Sequence, residues 1–214
     1  YQGAHYAVLD IDIGERDLQQ CADAAIRLRA EYLYARLHQG LKPRIPISFN
    51  YTTGDKIPYD RWRRGDRPKV EEYKKRGKRR WRVKWKRRRA KTDKSYQQFR
   101  RYLNNIFSYA GTASLSQELS RRSPHDIHIG DLYLRGGFPG HAVIVMDLAR
   151  HPKHGLVMLL AQSYMPAQSP HLLKNLEDPS LSPWYKVPRR GQLITPEWTF
   201  SATNLYRFKG RDQD

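Results

Sequence analysis

Apolar positions recur at two different periods along this chain. Up to about residue 121, most of them have the period of helices. Alternating apolar and polar residues predict one strand over 5–13. Apolar residues spaced three and four apart then predict a helix that begins after an N-cap at Asp17 and ends near His38. The same spacing predicts two further helices, over about 94–109 and 113–121.

The second half has the period of extended chain. Short apolar or alternating runs, separated by Gly and Pro, predict antiparallel strands over 131–134, 141–147 and 156–162. Helices that precede strands are typical of an α+β domain. Because the chain contains no internal repeat and no low-complexity linker, we expect a single domain over 1–214.

Charge adds one feature to this domain. The chain has 40 Lys or Arg against 21 Asp or Glu, for a net charge of +19. Of these basic residues, 21 lie in 61–101, where only four residues are acidic. Apolar and basic residues alternate over 81–85, and Gly77 can supply a turn before them. We therefore expect an inserted, amphipathic β-hairpin over about 68–91.

The basic face of this hairpin has the chemistry of a polyanion-binding surface, because Lys and Arg that meet phosphates release counterions. Its candidate contact residues are Arg80, Arg82, Lys84, Lys86 and Arg88. A nucleic acid and an anionic polymer or lipid of a cell envelope would suit it equally. The simpler interpretation is a solvated face that maintains solubility. No zinc-finger, helix-turn-helix or RNA-recognition signature accompanies it.

Several other classes of protein are excluded. No stretch approaches the roughly 18 consecutive apolar residues of a membrane-spanning helix, so no transmembrane segment is expected. A single cysteine excludes an intrachain disulfide framework and a thiolate zinc cluster. The His pairs 125/128 and 151/154 lack the helical spacing of a zinc peptidase, and neither a metal nor a cofactor is predicted. The chain begins at Tyr1, which leaves open an upstream targeting segment or a missing N-terminal part.

One set of residues has the order of a cysteine enzyme. Cys21 lies near the start of the first predicted helix, where the dipole favours a thiolate nucleophile. His141 opens a strand after a glycine-rich bend and is the candidate base, and Gln162 ends the next strand and can orient it. Gln19 and Gln20 can help to hold an oxyanion. These residues predict a cysteine hydrolase or acyl-transfer enzyme with a peptide or amide substrate.

Each of these residues also has a structural interpretation. Cys21 lies on the apolar stripe of its helix and can be a core residue. His141 can be a hydrogen-bonded histidine at a sheet end, and Gln162 can bind loop backbone. The alternative function is then a non-enzymatic module that binds a polyanion through the basic hairpin.

A resemblance adds to this interpretation. Residues 130–132 followed by 140–145 are similar to the catalytic half of the papain-like cysteine peptidases of the NlpC and CHAP type, which cleave cell-wall peptides. The resemblance implies a papain-like α+β arrangement, with N-terminal helices packed on a mostly antiparallel sheet. It also implies a cell-wall peptide as substrate and a location in a bacterial cell envelope or outside the cell.

A second resemblance is closer and covers most of the chain. The chain resembles a bacterial family named domain of unknown function 4846 in five segments, which are 18–23, 27–34, 109–112, 136–143 and 160–168. This resemblance implies membership of the family and no particular activity.

Overall fold

The computed structural model describes residues 3–40, 45–87 and 91–210. The helices in these ranges are α1 (Cys21–His38), α2 (Tyr59–Arg63), α3 (Tyr96–Phe107) and α4 (Thr112–Glu118). The strands up to residue 121 are β1 (His5–Val8), β2 (Ser48–Asn50), β3 (Lys56–Pro58), β4 (Arg67–Lys75), β5 (Lys78–Lys86) and β6 (Ser120–Arg121). The later strands are β7 (Leu132–Arg135), β8 (His141–His151), β9 (Gly155–Gln162), β10 (His171–Leu173), β11 (Tyr185–Lys186), β12 (Gln192–Ile194), β13 (Thr199–Ser201) and β14 (Leu205–Arg207). No helix in the described ranges combines the length and apolarity needed to cross a bilayer.

Most strands join one antiparallel sheet in the order β1-β10-β9-β8-β7-β14-β6, with β11 also paired to β9. Three separate two-stranded ribbons are formed by β2–β3, β4–β5 and β12–β13. Strands hold 33% of the residues and helices 22%, so the fold is β-rich.

The prediction of a papain-like α+β fold is therefore wrong. Apart from the strand over 5–13, it assumed that the helices come first and the sheet follows. In the structure β1, which precedes all the helices, and β6, which follows α4, form the two edges of the large sheet. The strands that were not predicted have two or three residues each, which leaves too little periodicity in the sequence to recognise them. No relationship to papain-like proteins is shown.

The large sheet is buried on both faces in its central strands. Along β8, Ala142 and Ile144 pack into a core with α1 and α3. The intervening residues Val143 and Val145 pack into a second core that includes Phe200 of the β12–β13 ribbon. Because neither face meets water, the start of this strand is a continuous apolar run in the sequence.

The predicted basic hairpin is confirmed as a ribbon of β4 and β5. The two strands pair from Arg67 opposite Lys86 to Lys75 opposite Lys78. The two-residue turn consists of Arg76 and Gly77, both with positive φ, as a tight hairpin connection requires. Residues 67–86 are called the basic ribbon below. The last part of the predicted hairpin, which includes Arg88, falls at residues 88–90, outside the described residues.

Candidate active site

The cysteine opens helix α1. Gln20 is the N-cap and Cys21 the first helical residue, so the predicted cap at Asp17 is one turn too early. The side chain of Asp23 accepts a hydrogen bond from the Gln20 N–H at 3.2 Å and fixes this start. Asp17 instead accepts from the Ala167 N–H at 2.7 Å, which ties the preceding loop to the segment after β9. Cys21 therefore lies among the unpaired N–H groups of a helix N-terminus.

A glycine-rich bend positions the first residue of β8. A Cβ atom at Gly140 would lie 2.3 Å from Oγ1 of Thr112 and 2.6 Å from the carbonyl oxygen of Arg135. The Thr112 hydroxyl donates to the Gly137 carbonyl at 3.1 Å. The bend thus packs directly on the first turn of α4, and this close approach explains Gly140. His141 follows as the first residue of the strand.

His141 belongs to a buried series of hydrogen bonds. Its Nε2 lies 2.8 Å from Oε1 of Gln162. The Gln162 amide is oriented in turn by Glu197, because its Nε2 donates to the Glu197 carboxylate at 2.8 Å. Oε1 of Gln162 is therefore an acceptor, and Nε2 of His141 carries the hydrogen. In the neutral imidazole Nδ1 then has the free lone pair and is the atom that can accept a proton.

Aromatic rings surround this imidazole. The ring centroids of Tyr164, Trp198 and Phe200 lie 5.3, 5.4 and 6.1 Å from that of His141. Burial lowers the pKa of His141 below its ordinary value, and the hydrogen bond with Gln162 opposes this effect. The imidazole is therefore neutral at neutral pH, which is the form that a general base requires.

The Cys21 thiol lies at the end of the β8–β9 pairing. If the register of these strands continued, it would pair Ala142 with Ser163, but the pairing ends before these two residues. The Ser163 hydroxyl donates to the Gln19 carbonyl at 2.8 Å. The Ala142 N–H lies near the Cys21 sulfur and lowers the pKa of its thiol. Because His141 immediately precedes Ala142, the thiol contacts the peptide unit next to the residue that bears the imidazole.

Burial also controls the protonation of the thiol. It raises the pKa of Cys21 above the ordinary value, and the negative charge of Asp23 acts in the same direction. Hydrogen bonds from the backbone N–H groups of Ala142, Ala22 and Cys21 itself lower the pKa but do not outweigh burial. The predicted thiolate-stabilising effect of the helix start is thus present and is outweighed. The residue as a whole is partly exposed, although its thiol is largely buried.

The two glutamines before the cysteine differ in whether their side-chain N–H groups already have a hydrogen-bond acceptor. Gln19 is 1% exposed, and its Oε1 accepts a hydrogen bond from Arg27 at 3.0 Å. Its Nε2 is buried and has no partner in the described part of the chain. Gln20 lies nearer the surface, where its Nε2 donates to Asp17 at 3.2 Å. A buried, unused donor is what an oxyanion site requires, which favours Gln19 over Gln20 for that role.

Two acidic residues of the site were missed by sequence reasoning. Glu197 lies between β12 and β13, far from Gln162 in the chain, and no pattern in the sequence marks it. Asp23 is 6% exposed, and burial raises its pKa to about 8. Its position two residues after Cys21 was a usable signal, because a carboxyl group there changes the electrostatics of the thiol.

The other predicted binding residues lie elsewhere. Arg80, Arg82, Lys84 and Lys86 lie on one face of the basic ribbon and are exposed. A cavity of about 820 Å³ is lined by residues of α1 and β8, such as Tyr32 and Ile144, and does not include the Cys21 site. Within the described ranges, no three His, Cys, Asp or Glu side chains form a group that could hold a metal ion.

Comparison with known proteins identifies a family but no activity. No curated protein and no solved structure matches the chain. The resemblance to papain-like peptidases therefore has no support beyond the motifs themselves. The model of one family, described as domain of unknown function (4846), matches residues 1–207. Since this match covers nearly the whole sequence, the chain belongs to the domain of unknown function 4846 family.

Proposed function

We propose that the protein is a cysteine hydrolase or acyl-transfer enzyme acting on peptide or amide bonds, with Cys21 as nucleophile and His141 as base. One observation carries the proposal: the series from Glu197 through Gln162 to His141 fixes the tautomer that leaves Nδ1 free. The thiol of Cys21 contacts the adjacent peptide unit. A nucleophile, an oriented base and a residue that orients it are the elements of covalent acyl transfer.

The first half of the reaction forms a thioester. The Cys21 sulfur attacks the carbonyl carbon of the substrate while Nδ1 of His141 takes the thiol proton. The carbonyl oxygen gains the negative charge, and Nε2 of Gln19 and the backbone N–H groups at the start of α1 are donors for it. As the intermediate collapses, the imidazolium gives its proton to the leaving nitrogen, and the amine departs.

The second half releases the acyl group. Water, or the amine or hydroxyl of a second substrate, loses a proton to His141 and attacks the thioester carbonyl. The Cys21 sulfur then leaves and regains the proton from the imidazolium, so the enzyme returns to its starting state. The positive charge on the imidazolium is stabilised through Gln162, which accepts from Nε2–H and donates to the Glu197 carboxylate.

Alkylation of Cys21 by iodoacetamide tests the nucleophile and the base together. Because burial keeps the free thiol protonated, a base beside it is needed for reaction at neutral pH. We expect His141→Ala to lower the alkylation rate about 100-fold at neutral pH and to leave it unchanged where hydroxide ionises the thiol directly. His154→Ala is the matched control, since this histidine lies in the β8–β9 turn.

Equal alkylation rates for the His141→Ala variant, the control and the original protein would refute the proposed pair. Substrate is tested with a panel of fluorogenic peptide amides and one cell-wall muropeptide, the specific substrate expected from the motifs. Cys21→Ser should abolish turnover of any member that the protein cleaves. Alkylation that depends on His141 without turnover of the panel would leave the pair in place and exclude these substrates.

A further inference from the structure

The outer half of the basic ribbon, residues 72–81, projects from the domain. The inner half is attached, because Val70, Val83 and Trp85 pack against the helical core. The Val83 N–H also donates to the Asp55 carboxylate at 2.9 Å. No member of 72–81 belongs to either hydrophobic core of the described residues. Four residue pairs at about 3.4 Å per residue extend it by about 14 Å.

This outer half carries positive charge that the protein does not neutralise. Its basic residues are Lys74, Lys75, Arg76, Lys78, Arg79 and Arg80. Its one acidic residue is Glu72, which contacts Arg79 at 3.3 Å. Among the described residues no other ion pair involves these cations. Like charges at such density repel one another, and an anionic surface would relieve that repulsion.

A large aromatic ring lies among these cations. Trp81 is 52% exposed. The register places it directly opposite Glu72 and on the same face of the ribbon as Arg79 and Lys74. An indole ring flanked by cations is suited to a membrane–water interface, because the ring is apolar while its N–H and the cations remain with headgroups.

We propose that the outer half of the basic ribbon binds the surface of an anionic lipid bilayer, with the face that bears Trp81 towards the lipid. The indole ring enters the headgroup region, and Arg79 and Lys74 beside it contact lipid phosphates. Cations on the opposite face, such as Lys75 and Arg80, reach the same phosphates around the edges of the ribbon by their long side chains. The inner half holds the ribbon on the domain through Val70, Val83 and Trp85.

Trp81 favours a bilayer over a nucleic acid. A two-stranded ribbon fits the major groove of duplex DNA, but the side chains that read bases there are hydrogen-bonding ones. Single strands bind along grooves with several rings on which bases stack. In the ribbon the Tyr73 ring is covered by the Arg82 guanidinium at 4.9 Å, so it offers no such series.

Co-sedimentation with lipid vesicles tests the proposal on the full chain. We expect binding to vesicles that contain one third phosphatidylglycerol and none to vesicles of phosphatidylcholine alone. The binding should weaken as salt screens the charges. Replacing Lys75, Lys78 and Arg80 together by Ser should lower the partition coefficient about 100-fold. Replacing Arg150, Lys153 and Arg190 by Ser removes the same charge elsewhere and should change it less than about twofold.

The contribution of the ring is tested separately. Trp81→Ser should weaken vesicle binding about tenfold, whereas Ile129→Ser, at a 61% exposed apolar residue, should not. Circular dichroism of each variant checks that it is folded. Cys21→Ser should bind vesicles like the original protein, so failure of the enzyme proposal would not affect this result.

Three outcomes would overturn the proposal. Equal loss of binding in the two triple variants would show that the attraction comes from net charge and not from the ribbon. Unchanged binding of Trp81→Ser would exclude insertion of the ring. Tighter binding to a DNA or RNA oligonucleotide than to vesicles, at the same salt concentration, would assign the ribbon to nucleic acid.

Discussion

The free energy of unfolding should fall as pH rises from 6 to 9, and replacing Asp23 by Asn should remove this fall. The carboxyl group is 6% exposed, and burial raises its pKa to about 8. One oxygen accepts from the Gln20 N–H at 3.2 Å, and the other has no partner in the described part of the chain. An amide of the same shape keeps the first contact and cannot ionise.

The magnitude follows from the two pKa values. In the unfolded chain the ordinary value is 3.8, whereas the folded value is about 8. Between them only the folded state holds the proton, so this contribution to stability is complete below the unfolded pKa and is lost as pH rises through the folded one. From pH 6 to pH 9 the free energy of unfolding should fall by about 3 kcal/mol through this group. For a chain of this size that corresponds to roughly 6–12 °C in Tm.

The assay is urea unfolding of the original protein, Asp23→Asn and Asp147→Asn across this pH range. Asp147 is an exposed residue of β8 and provides the matched control. From pH 6 to pH 9, the free energy of unfolding of Asp23→Asn should rise by about 3 kcal/mol relative to that of the original protein. The values for Asp147→Asn should stay parallel to those of the original protein. Parallel curves for Asp23→Asn as well would refute the pKa and the burial argument behind it. The variant should also lower the pKa of Cys21 at alkaline pH, because a nearby negative charge is removed.

Three more substitutions test the contacts around the site. Glu197→Gln should lower the alkylation rate of Cys21 about tenfold, because the Gln162 amide is then free to turn its Nε2 towards His141; an unchanged rate would remove Glu197 from the series. Gly140→Ala should cost about 1–3 kcal/mol in urea unfolding, because its Cβ meets Thr112. Gly111→Ala, where the space is open, is the control. Asp131→Asn should cost about 1.5–3 kcal/mol, because it removes one of the two carboxylates that pair with Arg207, at 2.6 Å, and leaves Asp126 at 2.9 Å. A loss no larger than that of Asp147→Asn would contradict this.

Long periodic segments were predictable because one physical signal determines them. The helix that ends at His38 and the basic ribbon both lie close to their predicted positions. Element starts were less predictable, since Asp17, the predicted cap of α1, binds instead to Ala167, which is distant in the chain. The fold class failed for a related reason. The strand β1 was predicted, but its place at the sheet edge depends on pairing with β10, which no local pattern records.

The candidate site was predictable only as far as its residue types and order. His141 and Gln162 come together because adjacent antiparallel strands bring their ends to one edge, a relation that the strand order makes accessible to sequence reasoning. Glu197 enters from the β12–β13 ribbon, which packs on the far face of the sheet. The protonation states of Cys21 and His141 could not be predicted from the sequence either. The sequence places Cys21 at a helix start, but only the structure shows that burial dominates its pKa.

Burial acts on the nucleophile and the base in opposite directions, and this predicts the shape of the pH profile. It raises the pKa of Cys21 and lowers that of His141. In the proposed mechanism the reactive form has a neutral thiol and a neutral imidazole, and both are present at every pH between the two values. The kcat/KM of a cleaved substrate should therefore show a broad plateau through neutral pH and fall on both sides. A thiolate–imidazolium pair holds the same single proton and would give the same profile, but burial disfavours both of its charged groups. A rate that rises in proportion to hydroxide through the neutral range would show that the free thiolate reacts and that His141 is not its base.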